Sequence, residues 1–229
     1  MHLATRRNVM AETRSPFSNP EDIPDRGHFG LAMEPVRLIG MTLLKIAGWR
    51  VEGYLPPVRK LVIIGGPHTS NWDFILLVLF ALYFRTPTNW IGKDALFKPP
   101  LGWIMRRLGG IAVDRSRKSD TVSQVVDVIN ARDDLVLVVT PEGTRGRVEK
   151  WKSGFYWIAH GADIPITIFF ADYKRRVCGF GPVVEPTGDY ESDVQVLKDF
   201  MKTITPRHPD RLAKTPASST TEPGPHEHD

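Results

Sequence analysis

Hydrophobic and polar positions alternate along this chain in blocks. Leu61-Val62-Ile63-Ile64 is a short apolar run closed by Gly65-Gly66-Pro67, the pattern of a strand buried on both faces. Leu135 to Val139 is the clearest run of this kind. Stretches 89–92, 111–113, 164–170 and 177–184 read as further strands. Between them apolar residues recur at helical spacing, as Val122, Val125, Val126 and Ile129 do within 121–131. The spacing predicts helices over about 71–84, with Ser70 or Asn71 as cap, and over 101–108, 121–131, 154–160 and 193–204. Strands alternating with helices predict an α/β fold, a mostly parallel sheet covered by helices on both faces.

An N-terminal amphipathic segment precedes this pattern. In 31–50, Leu31, Met33, Val36, Leu38, Ile39, Leu43, Leu44 and Ile46 cover a wide apolar arc, and Arg37, Lys45 and Arg50 are its basic positions. Such a helix either packs on the core or faces a membrane, with Trp49 at headgroup level. Residues 1–28 and 206–229 carry no periodic apolar pattern and read as loose tails. One domain is therefore expected at 29–205.

Composition narrows the reading only a little. The chain has 229 residues, 41% hydrophobic and 24% charged, which is ordinary for a globular domain. Its net charge of +4 favours anionic partners without choosing among them. The single cysteine, Cys178, excludes an intramolecular disulfide. No apolar stretch follows Arg6 and Arg7, so no secretory leader is expected. The longest apolar run, from Trp72 to Phe84, is broken by Asp73 and is shorter than the roughly 20 residues a spanning helix needs. The expected location is cytoplasmic, peripheral on the inner face of a membrane. Nucleic-acid binding has no support, because the basic residues do not interleave with aromatics.

Two polar loops follow two of the apolar strands: Pro67-His68-Thr69-Ser70-Asn71-Trp72-Asp73, and Thr140-Pro141-Glu142-Gly143-Thr144-Arg145. Ligands of open α/β sheets bind beyond the carboxyl ends of the strands, so neighbouring parallel strands would bring both loops to one cleft. A neutral imidazole at His68 can take a proton from an attacking hydroxyl. A carboxylate at Asp73, on the first turn of the following helix, can fix its tautomer and stabilise the imidazolium. Arg145 offers a planar fork for phosphate or carboxylate, Gly143 allows close backbone approach, and Glu142 can hold the loop. Each element also has an ordinary reading. Asp73 alone is a helix-start residue favoured by the helix dipole.

At these residues the chain resembles the glycerolipid acyltransferase family, the enzymes that acylate glycerol 3-phosphate or lysophosphatidic acid. The resemblance spans about 31–204 and rests on four segments in order. They are the His-x4-Asp pattern His68 to Asp73, then Gly110-Ile111-Ala112-Val113-Asp114-Arg115, then Pro141 to Arg145, and Ile164-Pro165-Ile166. It implies His68 as general base and Asp73 as its orienter. It implies that Arg115, Glu142, Gly143, Thr144 and Arg145 line the acceptor site, the arginines on its phosphate. It further implies an acyl-CoA or acyl carrier protein thioester as co-substrate, direct transfer, and no bound cofactor or metal. The activity expected on this basis is 1-acyl-glycerol-3-phosphate O-acyl transfer in phospholipid synthesis. Ala112, Pro67, Thr140 and Gly146 depart from the family's usual residues beside the acceptor elements. A lipid acceptor without phosphate therefore stays open, as does a membrane-surface lipid-binding protein without turnover.

Overall fold

The computed structural model describes residues 34–53, 55–56, 58–67, 69–84, 86–114, 121–142 and 151–209. The apolar run at 61–64 forms strand β2 (Lys60–Gly65), and the run at 135–139 forms β5 (Leu135–Val139). They pair in parallel, from Lys60 opposite Leu135 to Ile64 opposite Val139. On the other side of β2 lies β6 (Ile166–Asp172), also parallel, followed by the antiparallel β7 (Val177–Val184) and a short edge strand β1 (Arg50–Glu52) parallel to β7. The order is β1-β7-β6-β2-β5. Strands β3 (Trp90–Lys93) and β4 (Gly110–Val113) form a separate parallel ribbon. Among the described residues, Asn89 alone makes a strand-type bridge from this ribbon to β5, donating to the Val136 carbonyl at 2.6 Å and accepting from Val138 at 2.8 Å. The predicted α/β class and mostly parallel sheet are found.

Because side chains alternate along a strand, each central strand feeds two cores. Val62, Ile64, Leu135, Leu137, Ile166 and Ile168 face α4 (Thr121–Asn130), α5 (Gly154–Gly161) and α6 (Tyr190–Lys202), where Val125, Ile129, Tyr156, Val194 and Leu197 meet them. Leu61, Ile63, Val136 and Phe169 face the opposite side, where α1 (Glu34–Ile46) and α2 (Asn71–Tyr83) supply Leu44, Leu76 and Phe80. Each fully buried aliphatic side chain contributes about 1.5–3 kcal/mol, so this double-sided burial dominates the stability of the sheet. A short 3-10 turn (Asp94–Phe97) and α3 (Gly102–Arg107) close the β3–β4 ribbon.

The N-terminal helix is shorter than the expected 31–50. It ends at Ile46 because Gly48, at φ 72°, takes the left-handed conformation that closes a helix C-terminus. Gly48 donates to Lys45 O at 3.0 Å and Trp49 to Leu44 O at 2.8 Å. Trp49 thus lies beyond the helix, half-buried and edge-on to Tyr173 at 5.0 Å between ring centroids. The close approach of α1 to α2 depends on Gly40, where a Cβ would sit 3.0 Å from Leu79 O. The expected tail at 1–28 lies outside the described residues. Of the expected tail at 206–229, residues 206–209 are described and pack on the loop after β2, with Pro206 buried and His208 N–H bonded to Thr69 Oγ1 at 3.3 Å. The apolar pattern that marks packed segments is absent there because these contacts are aromatic and polar.

Candidate active site

Strand β2 runs out at Gly65, and the chain turns through Gly66 and Pro67 into α2. Ser70 is the N-cap: its Oγ accepts from Trp72 N–H at 3.2 Å. Asp73, three residues on, completes a capping box. Its Oδ2 accepts from Ser70 N–H at 2.7 Å and from Thr69 N–H at 2.8 Å. Asp73 is only 8% exposed. The ordinary helix-start role is therefore real, and it occupies one carboxylate oxygen. The other, Oδ1, accepts from the Tyr173 hydroxyl at 2.8 Å, across 100 residues of sequence. Burial first, and the bond to Asp73 second, push the Tyr173 hydroxyl above its ordinary range, with the Arg207 charge acting the other way. Tyr173 thus stays protonated and stays a donor at any working pH.

The second loop emerges beside the first. Ile64 and Val139 are partners in register, so β2 and β5 end together, and Gly65 adjoins Thr140. Pro141 is buried, and its carbonyl accepts from Lys152 N–H at 2.9 Å, joining the two described ends of this loop. Glu142 is half-buried just beyond β5. At the end of β4, Gln124 of α4 clamps Asp114 through its N–H at 3.1 Å and its carbonyl at 3.3 Å. Asp73 and Glu142 therefore stand at the carboxyl ends of adjacent parallel strands, the position where α/β sheets bind ligands. His68, Arg115, Gly143, Thr144 and Arg145 lie outside the described residues.

The pattern of the chain did not single out Tyr173 or the segment 205–208. One signal was available. Tyr173 directly follows β6, a strand buried along its whole length, and so occupies the same end of the sheet as the two polar loops. Among the described residues no cluster of His, Cys, Asp or Glu could hold a metal ion. Cys178 is buried, and burial pushes its thiol up to about 12, so it is inert as a nucleophile.

A family model described as Acyltransferase matches residues 49–168, more than half of the chain. The chain belongs to the acyltransferase family. One relative is the 1-acyl-sn-glycerol-3-phosphate acyltransferase of Pseudomonas aeruginosa PAO1, 30% identical over 129 residues. That match takes in 53% of this chain and 49% of the relative, so the chain spans about half of the relative's length. Among solved structures, the 1-acyl-sn-glycerophosphate (LPA) acyltransferase PlsC from Thermotoga maritima is similar at a TM-score of 0.47 and 18% identity, over 75% of each chain.

Proposed function

We propose that this enzyme transfers a fatty acyl group from a thioester, acyl-CoA or acyl carrier protein, to the free hydroxyl of 1-acyl-glycerol 3-phosphate. The observation that carries this reading is the Asp73 carboxylate, held on both oxygens at the carboxyl end of β2, five residues after His68. In the proposed step His68 takes the proton of the acceptor hydroxyl, and the oxygen attacks the thioester carbonyl. Asp73 steadies the imidazolium that forms. The tetrahedral intermediate collapses with loss of the thiolate, which takes up the proton from His68. One C–O bond forms, one C–S bond breaks, and no acyl-enzyme or bound cofactor intervenes. Arg115 and Arg145 receive the acceptor phosphate, and Glu142, Gly143 and Thr144 line its site.

A membrane surface is the natural partner, since acceptor and product are amphiphiles. Among the described residues no helix is long and apolar enough to cross a membrane. The outer faces of the packed pair α1 and α2 nevertheless carry Leu38, Ile39, Leu43, Ile46, Phe74, Ile75 and Val78 in the open, Phe74 at 63% exposure. Exposed apolar residues on both helices support an interfacial helix pair. Asp73 lies on the first turn of α2, so the proposed base and its orienter would sit where the acceptor's headgroup emerges from the bilayer. The expected location is thus the inner face of the cytoplasmic membrane.

The test is turnover of purified protein with palmitoyl-CoA and lysophosphatidic acid, beside His68→Ala. Loss of a general base costs about 100-fold or more. Equal turnover by the two proteins would overturn the mechanism. Ala112 and Thr140, which depart from the family pattern beside the acceptor elements, make an acceptor panel with phosphate-free lysolipids and alcohols the natural companion assay.

A further inference from the structure

The turn that carries Asp73 is closed by two segments that the mechanism above does not use. Tyr173, at the end of β6, reaches Asp73 Oδ1 at 2.8 Å, while Thr69 and Ser70 take Oδ2. The chain leaving α6 forms the second. Thr205 O accepts from Tyr173 N–H at 2.9 Å. The Arg207 guanidinium lies over the Trp72 ring at 5.3 Å and the Tyr173 ring at 5.9 Å. His208 N–H reaches Thr69 Oγ1 at 3.3 Å. With Trp49 edge-on at 5.0 Å, the Tyr173 ring is held by neighbours from three parts of the chain.

The bend after Tyr173 is pinned as well. Asp172, 2% exposed, accepts from Arg175 N–H at 3.0 Å and from Arg175 Nε at 2.8 Å, and Arg175 reaches on to Glu52 at 3.3 Å. Burial alone would raise the Asp172 carboxyl, but its bonds to the Arg175 side chain and N–H outweigh this and hold it below its ordinary range.

We propose that Tyr173 is a positioning residue for acyl transfer, setting the plane of the Asp73 carboxylate through its hydroxyl, and that Arg207 keeps Tyr173 against the turn. The inference rests on the reading of His68 and Asp73 as base and orienter. Two amide donors on Oδ2 satisfy the helix cap but fix only one oxygen. A separate donor on Oδ1 sets the plane, and the plane decides which lone pairs face an imidazole N–H. A helix cap has no need of the second donor; an orienter does. Among the described residues, the other charged groups beside Tyr173 are Arg207, in the chain leaving α6, and the mutually paired Asp172 and Arg175.

Tyr173→Phe removes only the hydroxyl. With palmitoyl-CoA and lysophosphatidic acid, the expected result is a kcat about tenfold lower at unchanged KM. Arg207→Ala gives a smaller loss, which Arg207→Lys restores in part. In an Asp73→Asn background Tyr173→Phe costs nothing more, since it acts through Asp73. An NMR titration of His68, identified by its loss in His68→Gln, reads the same coupling without any acceptor. Asp73→Asn lowers the His68 pKa, and Tyr173→Phe moves it part of the way in the same direction. If Tyr173→Phe leaves kcat and His68 unmoved while lowering Tm, Tyr173 only supports the fold and the proposal is overturned. If Asp73→Asn itself leaves His68 unmoved, the base–orienter reading fails first and takes the inference with it.

Discussion

Helices α1 and α2 on one side of the sheet and α4, α5 and α6 on the other bury equally apolar inner faces, but their outer faces differ. On the first side the exposed positions include Leu38, Ile39, Leu43, Ile46, Phe74, Ile75 and Val78. On the second, α4 exposes Ser123, Asp127 and Asn130, and α6 exposes Glu191, Ser192, Gln195, Asp199 and Lys202. Trp157 and Val196 are isolated exceptions there, as single exposed apolar residues are on any soluble surface. Packing on the sheet explains the inner face of every helix. It does not account for an apolar outer face; the membrane contact proposed above would.

The comparison breaks most readily at the apolar outer surface. Replacing Leu38, Ile39, Phe74 and Ile75 together by Ser removes about 1 kcal/mol of interfacial burial per side chain. Sedimentation with vesicles containing anionic phospholipid should then show binding weaker by about 1000-fold, with Tm unchanged or raised. Retained binding would mean that the apolar outer face is not what meets the membrane. On the opposite side, Tyr156 donates to Asp193 at 2.7 Å between α5 and α6. Tyr156→Phe should cost about 1 kcal/mol in denaturant unfolding and leave vesicle binding alone. Burial first, then the bond to Asp193, push the Tyr156 hydroxyl from 10.0 up to about 12. The folded state therefore holds this proton more tightly than the unfolded chain. Its stabilising contribution is complete below pH 10 and is lost as pH rises toward about 12, a limb that the Phe variant should show less steeply. The smallest effect belongs to Val196→Ser on α6, which should leave vesicle binding within about twofold and Tm within about 1–2 °C.

What the sequence revealed follows from how far apart the contacting residues are. β2 and β5 were legible because a strand covered on both faces must be apolar at every position, and 61–64 and 135–139 are. β1 was not: Arg50-Val51-Glu52 has no apolar run, and it is a strand only because β7 offers Val177, Cys178 and Gly179 as partners. At the site, Asp73 was legible because a helix cap and the proposed orienter call for the same residue on the first turn of α2. Tyr173, Arg207 and His208 were not, since they reach the turn from the far end of the chain and no local period records such a contact. The apolar arc at 34–46 was legible, but its two possible destinations were not separable. The helix in fact uses Gly40 and Leu44 against the fold and leaves Leu38, Ile39, Leu43 and Ile46 outside.

The Asn89 bridge makes the sheet mechanically uneven. Between β6, β2 and β5 a shearing force meets a continuous ladder. Between β5 and the β3–β4 ribbon it meets two backbone hydrogen bonds from one residue, together with Ile111 and Val113 seated in the core. Apolar contacts have no direction and tolerate sliding, whereas a ladder does not. The ribbon is thus joined to the sheet by one residue's backbone bonds and by side-chain packing rather than by a ladder. Asp73 and Glu142 follow strands held by the ladder, whereas Asp114 is held by the Gln124 side chain of α4.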